Sequence, residues 1–452
     1  MSTKHFLHLR APGNWINDPN GFIYFKGYYH LFYQYFPYGP QWGTMHWGHA
    51  VSTDLVHWQH KGIALFPTKE YDKNGCFSGS ALNIDDTLYL YYTGVKYKCA
   101  DEENIHVPKN NEFFSAQAMI TSDDGFTFDN FNGKKEIIPQ INDLSVGHPS
   151  HTRDPKVWKS DDTYYMVLGT QVKDSEDTYK GRLLFYTSTD AVNWSLGGTF
   201  DGQIGGYMWE CPDLFTCGTD DVLVVSPMGY FKDGLNCPDQ AVCVTGAFDE
   251  KNCRLKINDN ARPVDYGTDF YAPQTTTDKD GRRIIIGWMR MPEVVSDGDT
   301  QWIGMMCSPR IVQVIDGHIY FKMHPETKHA ISRSVSYKQL HDNCLSAGYN
   351  KPFRIRLAVK NDSQINIGGY KIYLKDNCLY TDRTAVYPGE NNPRLVVHTP
   401  PLADKCDLDI IVDGHLIEIF INDGYVVLSQ IVYNLNGAVA IESPASEPEF
   451  MM

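Results

Sequence analysis

The sequence predicts an all-β protein in which a five-bladed β-propeller is followed by a β-sandwich. Aromatic residues make up 13% of the 452 residues, with 28 Tyr and 22 Phe, and such residues favour strands. Before about residue 320, no segment of about 12 residues shows a helical period with capping residues. A weak repeat recurs at roughly the length of one propeller blade.

Composition narrows the functional class. The 40 Lys and Arg and the 55 Asp and Glu give a net charge of −15, which argues against nucleic acid or a membrane surface as partner, since both require a basic face. The start of the chain lacks a signal-peptide core, and no run of about 18 apolar residues predicts a membrane span. The 11 cysteines form no C-x-x-C pair, so no zinc site is expected. Free thiols without an export signal predict a cytoplasmic protein.

Short apolar segments bounded by turn residues predict the individual strands. The first, residues 21–37, is interpreted as two aromatic-rich strands around a turn at Lys26 and Gly27. Further strands are predicted at residues 87–95, 163–171, 182–190, 221–229 and 282–290.

Three segments share a pattern of Ser or Thr, then Asp, then an aromatic residue. They are VSTDLVHW (51–58), TSDDGFTF (121–128) and TSTDAVNW (187–194). The copies lie about 65–70 residues apart, so about 300 residues would form about five blades of four strands each. Chance similarity is the alternative interpretation.

The pattern changes near residue 320, which predicts a second domain. Residues 1–320 are assigned to the propeller and 321–335 to a polar linker with a short helix. Residues 336–452 are assigned to a smaller β-sandwich, because short alternating strands return there. The sandwich offers a surface for pairing two copies of the chain, so a homodimer is a candidate assembly.

Three acidic motifs are candidates for catalysis. Asp18 lies in the turn motif WINDPNG (15–21), with aromatic residues on both sides. Asp154 follows Arg153 in HTRDPKVW (151–158), and this arginine could hold a neighbouring carboxylate ionised. Glu210 lies in the apolar, aromatic run GGYMWECPDLF (205–215). Taken singly, each motif could also be a surface turn or a strand-end acid in solvent.

Taken together, the motifs favour hydrolysis of a glycosidic bond. That reaction needs one carboxylate that stays ionised and one that stays protonated, and Asp18 and Glu210 fit these two roles. Asp154 would be a third carboxylate that binds substrate hydroxyls. In a propeller the inner strand of every blade faces the axis, so residues far apart in sequence can converge there.

These motifs give the sequence a strong resemblance to glycoside hydrolase family 32, the β-fructofuranosidases. WINDPNG, TRDP and WECPD occur in the family's order and resemble its nucleophile motif, its second acidic motif and its acid/base motif. Further similar segments are YQYFP, WGTMHWGHA, FSGSA, DFYAPQ, GWM and, near the C-terminus, IIVDGHLIEIFINDG. The resemblance covers nearly the whole chain.

The resemblance implies a retaining mechanism without metal or organic cofactor. Asp18 would be the nucleophile, Glu210 the acid/base, and Asp154 would bind the fructosyl ring and stabilise the transition state. The two catalytic carboxyl groups should lie about 5–5.5 Å apart. The fructose subsite would be lined by Asn17, Gln34, Trp42, Phe77, Ser78, Arg153, Asp269, Tyr271 and Trp288.

The resemblance implies a small sugar as substrate, with sucrose-6-phosphate and sucrose as the leading candidates. A phosphate group needs a local cation in so acidic a protein. Arg290 is the preferred candidate, because it follows Trp288 by two residues and alternation would place both side chains on one strand face. Other candidate cations, each of which is also interpretable as surface charge, are Lys180, Arg182, Lys232 and His46.

Two alternatives to this function stay open. An exo-fructosidase or fructosyltransferase would act on short fructo-oligosaccharides and would need an open, uncharged leaving-group side. A non-catalytic fructan-binding protein would have no need of the nucleophile–acid pair, and all three carboxylates are present.

Overall fold

The computed structural model describes residues 7–230, 239–258, 260–346, 348–388 and 395–452. Strands dominate these residues and the helices are short, which confirms the all-β prediction. The strands of the described residues form seven sheets, five in residues 14–323 and two in residues 334–451. None of the helices in the described part of the chain has the length and apolar character needed to cross a membrane.

The first four sheets follow one another along the chain, and within each of them strands that are consecutive in sequence pair antiparallel, with one exception in the fourth. The first contains β1 (Asn14–Phe25), β2 (Tyr28–Phe36), β3 (His46–Ser52) and β4 (Gln59–Leu65). The second contains β5 (Gly75–Ile84), β6 (Thr87–Tyr97), β7 (Phe113–Ser122) and β8 (Lys135–Ile138). The third contains β9 (Thr152–Ser160), β10 (Thr163–Lys173), β11 (Tyr179–Ser188) and β12 (Ser195–Phe200). The fourth contains β13 (Met208–Cys217), β14 (Asp220–Met228), β15 (Val242–Asp249), β16 (Arg254–Ile257) and β17 (Arg262–Pro263), and there β16 and β17 both pair with β15.

The fifth sheet is interrupted by a return to the first. It begins with β18 (Phe270–Thr277) and β19 (Arg283–Met289). The chain then forms β20 (Val295–Asp297) and β21 (Thr300–Ile303), which join the first sheet, where β21 pairs in parallel with β1. The fifth sheet continues with β22 (Met305–Met306), β23 (Arg310–Ile315) and β24 (His318–Met323). The parallel pairing of β21 with β1 therefore joins the last of the five sheets to the first strand of the first sheet.

The first strands of the five sheets contact one another in a closed cycle, β1–β5–β9–β13–β18 and back to β1. Each of them carries a bulge, where its pairing with the second strand of its sheet shifts register. Bulges redirect side chains and bend the strand. The bulged residues are Asn17 and Asp18 in β1, Ser78 in β5, Asp154 and Pro155 in β9, Cys211 and Pro212 in β13, and Ala272 and Pro273 in β18.

Polar side chains beyond the bulges tie these first strands together. The N–H of Gly79 donates to Asn20 Oδ1 at 3.2 Å, and Gln274 Nε2 donates to the carbonyl of Gly79 at 2.6 Å. Lys156 Nζ donates to Asp213 Oδ2 at 2.8 Å. All of these side chains are buried, so the bonds between β1, β5, β9, β13 and β18 are shielded from water.

The three copies of the sequence repeat occupy equivalent positions. They begin at the ends of β3, β7 and β11, the third strands of the first three sheets, and lead into the fourth strands. In each copy the aspartate side chain closes the turn by accepting two backbone N–H bonds, as Asp54 does from Val56 and His57. The repeat therefore marks one recurring turn of the fold.

After Met323, the described part of the chain forms two short α-helices and two packed sheets. Its elements are α1 (Pro325–Ala330), β25 (Ser334–Val335), α2 (Tyr337–Leu340) with a π-helical turn (His341–Leu345), β26 (Phe353–Lys360), β27 (Gln364–Ile367), β28 (Tyr370–Lys375), β29 (Cys378–Asp382), β30 (Val396–His398), β31 (Lys405–Asp413), β32 (Leu416–Ile421), β33 (Val426–Ile431), β34 (Val439–Glu442) and β35 (Glu449–Met451). One sheet has the order β25-β35-β26-β31-β32-β33 and the other β30-β29-β28-β27-β34. Apolar side chains of both sheets, such as Ile355 and Ile372, pack in one core.

Buried charges join this C-terminal part to the five sheets. Glu418 accepts hydrogen bonds from Arg310 Nη2 at 2.9 Å and pairs with His8 Nε2 at 2.8 Å. Arg310 also binds Asp265, and His8 Nδ1 pairs with Asp413, each at 2.8 Å. We call these five buried residues the interface cluster. They are surrounded by apolar side chains that β23, β24, β32 and β33 contribute to a common core.

Candidate active site

A cavity of about 300 Å³ lies at the starts of the five first strands. Residues from β1, β5, β9, β13 and β18 all line it, which follows from the closed cycle of these strands. Of the sequence-predicted site residues, those brought together here are Asn17, Asp18, Gln34, Trp42, Phe77, Ser78, Arg153, Asp154, Glu210, Tyr271 and Trp288.

Asp18 lies half-buried in the bulge of β1. Ser78 Oγ donates to its Oδ2 at 2.5 Å and Asn17 Nδ2 donates to its Oδ1 at 3.0 Å. Burial raises the pKa of Asp18, the hydrogen bond from Ser78 opposes that rise, and the nearby charge of Glu210 adds to it. Donors on both oxygens hold this carboxylate in one orientation.

Asp154 is buried in the bulge of β9, where its backbone is left-handed with φ of 68°. Its Oδ2 accepts the N–H of Cys211 at 2.9 Å, and the Sγ of Cys211 lies 3.6 Å from Asp154 Oδ2 and 3.5 Å from Asp18 Oδ2. Burial raises the pKa of Asp154 to about 7, since the opposing effect of Arg153 at 3.8 Å is offset by the negative charges of Glu210 and Asp18. One cysteine thus joins two acids that repel each other.

Glu210 projects from β13 into the cavity and is held at both oxygens. Arg153 Nη2 donates to Oε1 at 2.8 Å, and Tyr271 Oη donates to Oε2 at 2.6 Å. Alternation sends the preceding Trp209 to the opposite face, into the core. Gly181 makes room for that indole, because a Cβ at position 181 would lie 2.2 Å from the Trp209 ring.

Aromatic rings form the walls of the cavity. Trp42 meets Phe77 edge to face, and Trp15 meets Trp288 in the same way, each pair with ring centroids 5.9 Å apart. Gln34 Nε2 is fixed by a 3.0 Å bond to a backbone carbonyl of β5. Flat apolar walls beside a polar, acidic floor suit a sugar ring, whose faces are apolar and whose edge is rich in hydroxyls.

Asp269 does not line the cavity, so this part of the prediction is corrected. Arg383 donates to both of its oxygens, at 2.5 and 3.1 Å, and the N–H of Ile431 donates at 2.8 Å. The segment before β18 runs against β33, where the N–H of Tyr266 donates to the carbonyl of Val427 at 2.8 Å. The buried arginine requires a carboxylate partner, and Asp269 provides it at the interface.

Arg290 also lies outside the lining of the cavity. Its guanidinium stacks over the ring of Tyr271 at 4.8 Å and donates to the carbonyl of Thr268 at 2.9 Å. β19 ends at Met289, so the alternation that would pair Arg290 with Trp288 does not continue to it. Arg290 therefore packs on Tyr271, which lines the cavity, without lining the cavity itself.

The other cations predicted for a phosphate are engaged elsewhere. Lys180 pairs with Asp174 at 3.3 Å. Arg182 donates to both oxygens of Asp201, and His46 Nδ1 bonds a backbone carbonyl at 2.9 Å. Lys232 lies outside the described residues.

Several lining residues escaped prediction, namely Trp15, Asn111, Phe113, His151 and Met228. Asn111 ends a 3₁₀ turn (Lys109–Asn111) between β6 and β7, and His151 lies just before β9. Loop residues carry no periodic signal, so pattern analysis does not find them. The one available signal for His151 was its place two residues before Arg153 in an acidic motif.

Two carboxylates with separate hydrogen-bond partners that face a sugar-sized cavity are the catalytic groups that a glycoside hydrolase needs. The comparison with known families specifies this class. Residues 8–325 match the Glycosyl hydrolases family 32 N-terminal domain, and residues 320–447 match the Glycosyl hydrolases family 32 C terminal. The chain belongs to glycosyl hydrolase family 32, as the motifs implied.

Individual relatives agree with this assignment. The sucrose-6-phosphate hydrolase of Bacillus subtilis is 34% identical over 447 residues, which cover 94% of this chain and 88% of that protein. The raffinose invertase of Escherichia coli is 33% identical over 453 residues, with coverage of 94% and 89%.

Solved structures of the family superpose on nearly the whole chain. The sucrose-6-phosphate hydrolase from Lactobacillus gasseri has a TM-score of 0.83 at 26% identity, covering 100% of this chain and 93% of that one. A Bombyx mori family 32 β-fructofuranosidase variant in complex with sucrose has a TM-score of 0.78 at 28% identity, covering 99% and 92%. The chain is thus a glycoside hydrolase in fold and in sequence.

Proposed function

We propose that this protein is a retaining β-fructofuranosidase that cleaves sucrose-6-phosphate and sucrose. The observation that carries the proposal is the meeting of Asp18, Asp154 and Glu210 in one cavity, each with different hydrogen-bond partners. The relatives named sucrose-6-phosphate hydrolase support the phosphorylated substrate, and the sucrose-bound structure of the silkworm enzyme supports sucrose.

The reaction proceeds by double displacement. Asp18 attacks the anomeric carbon C2 of the fructosyl unit, while Glu210 donates its proton to the departing oxygen and the C2–O bond breaks. Glu210 then takes a proton from water, and the resulting hydroxide attacks C2 and releases Asp18, so that configuration is retained. This role predicts that the Asp18 and Glu210 carboxyl groups lie about 5–5.5 Å apart.

Neighbouring side chains support each step. Asp154 accepts hydrogen bonds from the fructosyl hydroxyls and opposes the positive charge of the transition state. Arg153 stabilises the carboxylate that Glu210 becomes after proton transfer, from its position 2.8 Å away. Asn17, Gln34, Trp42, Phe77, Ser78 and Trp288 complete the fructose subsite, and no metal or organic cofactor takes part.

The same proposal assigns the architecture and its setting. The five sheets, which extend to Met323, are the blades of a five-bladed propeller, and the two sheets that begin at Ser334 are a β-sandwich, so the linker predicted at 321–335 shortens to the residues between β24 and β25. The closed cycle of first strands supports the propeller.

The described cysteines form no disulfide, which supports a reducing, cytoplasmic location. Pairing of two copies through the sandwich is the proposed assembly.

A second candidate is exo-hydrolysis or fructosyl transfer on short fructo-oligosaccharides. The relative named raffinose invertase supports room for a leaving group larger than glucose, although raffinose itself carries a single fructosyl unit. A non-catalytic fructan-binding role has less support, because binding alone does not require an acid facing a nucleophile.

The proposal is tested by measuring kcat/KM for sucrose-6-phosphate, sucrose and 1-kestose in one buffer at moderate salt. We expect at least a tenfold preference for the phosphorylated sugar, equivalent to about 1.4 kcal/mol of transition-state stabilisation. Equal values for both sucroses, with turnover of kestose, would favour the second candidate. Absence of turnover with all three sugars would overturn the catalytic proposal.

A further inference from the structure

Two histidines, His148 and His151, lie on a firmly held segment before β9, residues 147–151, and His151 lines the cavity. The N–H of His148 donates to Thr170 Oγ1 at 3.1 Å, and Thr152 Oγ1 donates to the carbonyl of His148 at 2.8 Å. The N–H of Ser115 donates to the carbonyl of Pro149 at 3.0 Å. These bonds fix the backbone from β7 and β10, so the two imidazoles are presented by a rigid support.

The hydrogen bonds of the two rings define where their protons lie. His148 Nδ1 accepts backbone N–H bonds from Ser150 at 3.2 Å and His151 at 3.3 Å. His151 Nδ1 accepts Arg153 Nη1 at 3.2 Å, since a guanidinium can only donate. In both neutral rings the proton is therefore on Nε2. Neither Nε2 has a hydrogen-bond partner within the part of the chain that the structure describes.

The two histidines extend outward from the catalytic residues. His151 lines the cavity, and the His148 ring lies beyond it with centroids 4.9 Å apart. Arg153 joins His151 on one side to Glu210 on the other. In the proposed reaction Glu210 protonates the departing oxygen, so Glu210 marks the leaving-group side of the site. We therefore place His151 and His148 on that side.

The local electrostatics suit an anion. Burial, with the positive charge of Arg153, lowers the pKa of both histidines, that of His151 to about 3, so both rings are neutral N–H donors. Arg153 and Lys98 supply positive charge near His148, and Glu112 offsets part of the latter at 3.2 Å. When Glu210 is protonated for catalysis, it no longer offsets the charge of Arg153, which then has Asp154 at 3.8 Å as its acidic partner. Donors backed by a cation are the usual partners of phosphate oxygens.

We propose that the Nε2–H groups of His148 and His151 form the subsite that binds the phosphate of a phosphorylated leaving sugar. The inference rests on the proposed function and adds the residues that read the substrate. It replaces Arg290, Lys180 and Arg182, whose side chains are engaged elsewhere.

The test compares the kcat/KM ratio for sucrose-6-phosphate over sucrose in matched variants. In the double variant His148→Leu with His151→Leu, we expect this ratio to fall at least tenfold, because both donors are removed. In the corresponding double Gln variant, whose side-chain amides still donate, the ratio should stay within about threefold of wild type. Lys180→Gln, which removes an exposed cation outside the subsite, is the control and should leave the ratio unchanged.

A second measurement covers the case in which the double Leu variant does not fold. Inorganic phosphate should inhibit sucrose hydrolysis by the wild type competitively, and the inhibition constant should rise at least threefold in His148→Leu alone. A ratio within twofold of wild type in the folded Leu variants, or an unchanged inhibition constant, would overturn the subsite. If the wild type cleaves neither sugar, the proposed function itself fails, which is a separate outcome.

Discussion

Asp154 in the active site and Glu418 in the interface cluster are both buried carboxylates, yet their pKa values move in opposite directions. Burial raises the pKa of Asp154 to about 7, because its one nearby arginine lies closer to Glu210 and because Glu210 and Asp18 both place negative charge near it. Glu418 contacts two cations, His8 at 2.8 Å and Arg310 at 2.9 Å, each of which also pairs with one further acid. These partners outweigh burial and lower the pKa of Glu418 to about 2.

The comparison shows that the supply of cations, more than burial, sets the state of a buried acid. The pKa of His8 illustrates the same point, since burial lowers it but hydrogen bonds to Asp413 and Glu418 raise it to about 9. The interface cluster supplies two cations, His8 and Arg310, to its three carboxylates. The active site holds three carboxylates around one arginine, and this repulsion is the condition for its chemistry.

The largest effect is expected at the active-site end of the comparison, from Asp18→Asn. An amide cannot form the fructosyl ester, so kcat should fall by at least about a thousandfold. The fold should be kept, because Asn is as compatible with the turn and removes a repelling charge. Activity assays with thermal melting check both points, and Asp190→Asn in an exposed turn is the control. Retention of more than a tenth of the wild-type rate would contradict the nucleophile role.

Glu418→Gln tests the contribution of the interface cluster to stability. His8 and Arg310 would lose the charge they share, which should cost about 3 kcal/mol of unfolding free energy. Urea unfolding followed by fluorescence measures this loss, with Glu442→Gln on an exposed strand as control. A loss below about 1 kcal/mol would show that His8 and Arg310 find sufficient compensation in Asp413 and Asp265.

The smallest effect is expected in Asp154→Asn, as a change in how the stability of the protein depends on pH. Because the native pKa of about 7 lies above the ordinary value of 3.8, native Asp154 binds more protons than the unfolded chain between these pH values. The wild type therefore loses stability as pH rises from about 4 to 7, and the variant does not lose this part. The melting temperature of the variant relative to wild type should increase by about 2 °C or more from pH 5 to pH 8. A pH-independent difference would contradict the raised pKa.

Local signals in the sequence were sufficient for much of the fold. The strands around Lys26 and Gly27 and the repeated Ser/Thr–Asp segments depend on neighbouring residues, and the structure confirms them. Among the described residues before 320, the only helical element is the 3₁₀ turn Lys109–Asn111, in agreement with the lack of a helical period. The sequence contains a second repeat, a residue followed by proline in the first strand of four sheets. Asp18, Asp154, Cys211 and Ala272 each precede a proline and lie in a bulge of a first strand. That dipeptide pattern marks four of the five strands around the cavity.

Long-range partners limited the prediction of the site. Glu210 and Asp154 were found by their motifs, but the partner of Arg153 is Glu210, 57 positions away, at a shorter distance than the adjacent Asp154. Asp269 was misplaced because its arginine lies 114 positions further along the chain. Motif matching finds a residue without showing which of two neighbouring surfaces it faces.

The pairing of His8 with Asp413 has a consequence for the order in which the molecule is completed. The two residues are 405 positions apart, so at about 5–20 residues per second a ribosome would need about 20–80 s to deliver the second after the first. Leu7 and Leu9, which are buried in the finished protein, emerge at the beginning of that interval. The segment around His8 therefore waits for this interval before its partner exists, and the interface forms only after Asp413 has been synthesised.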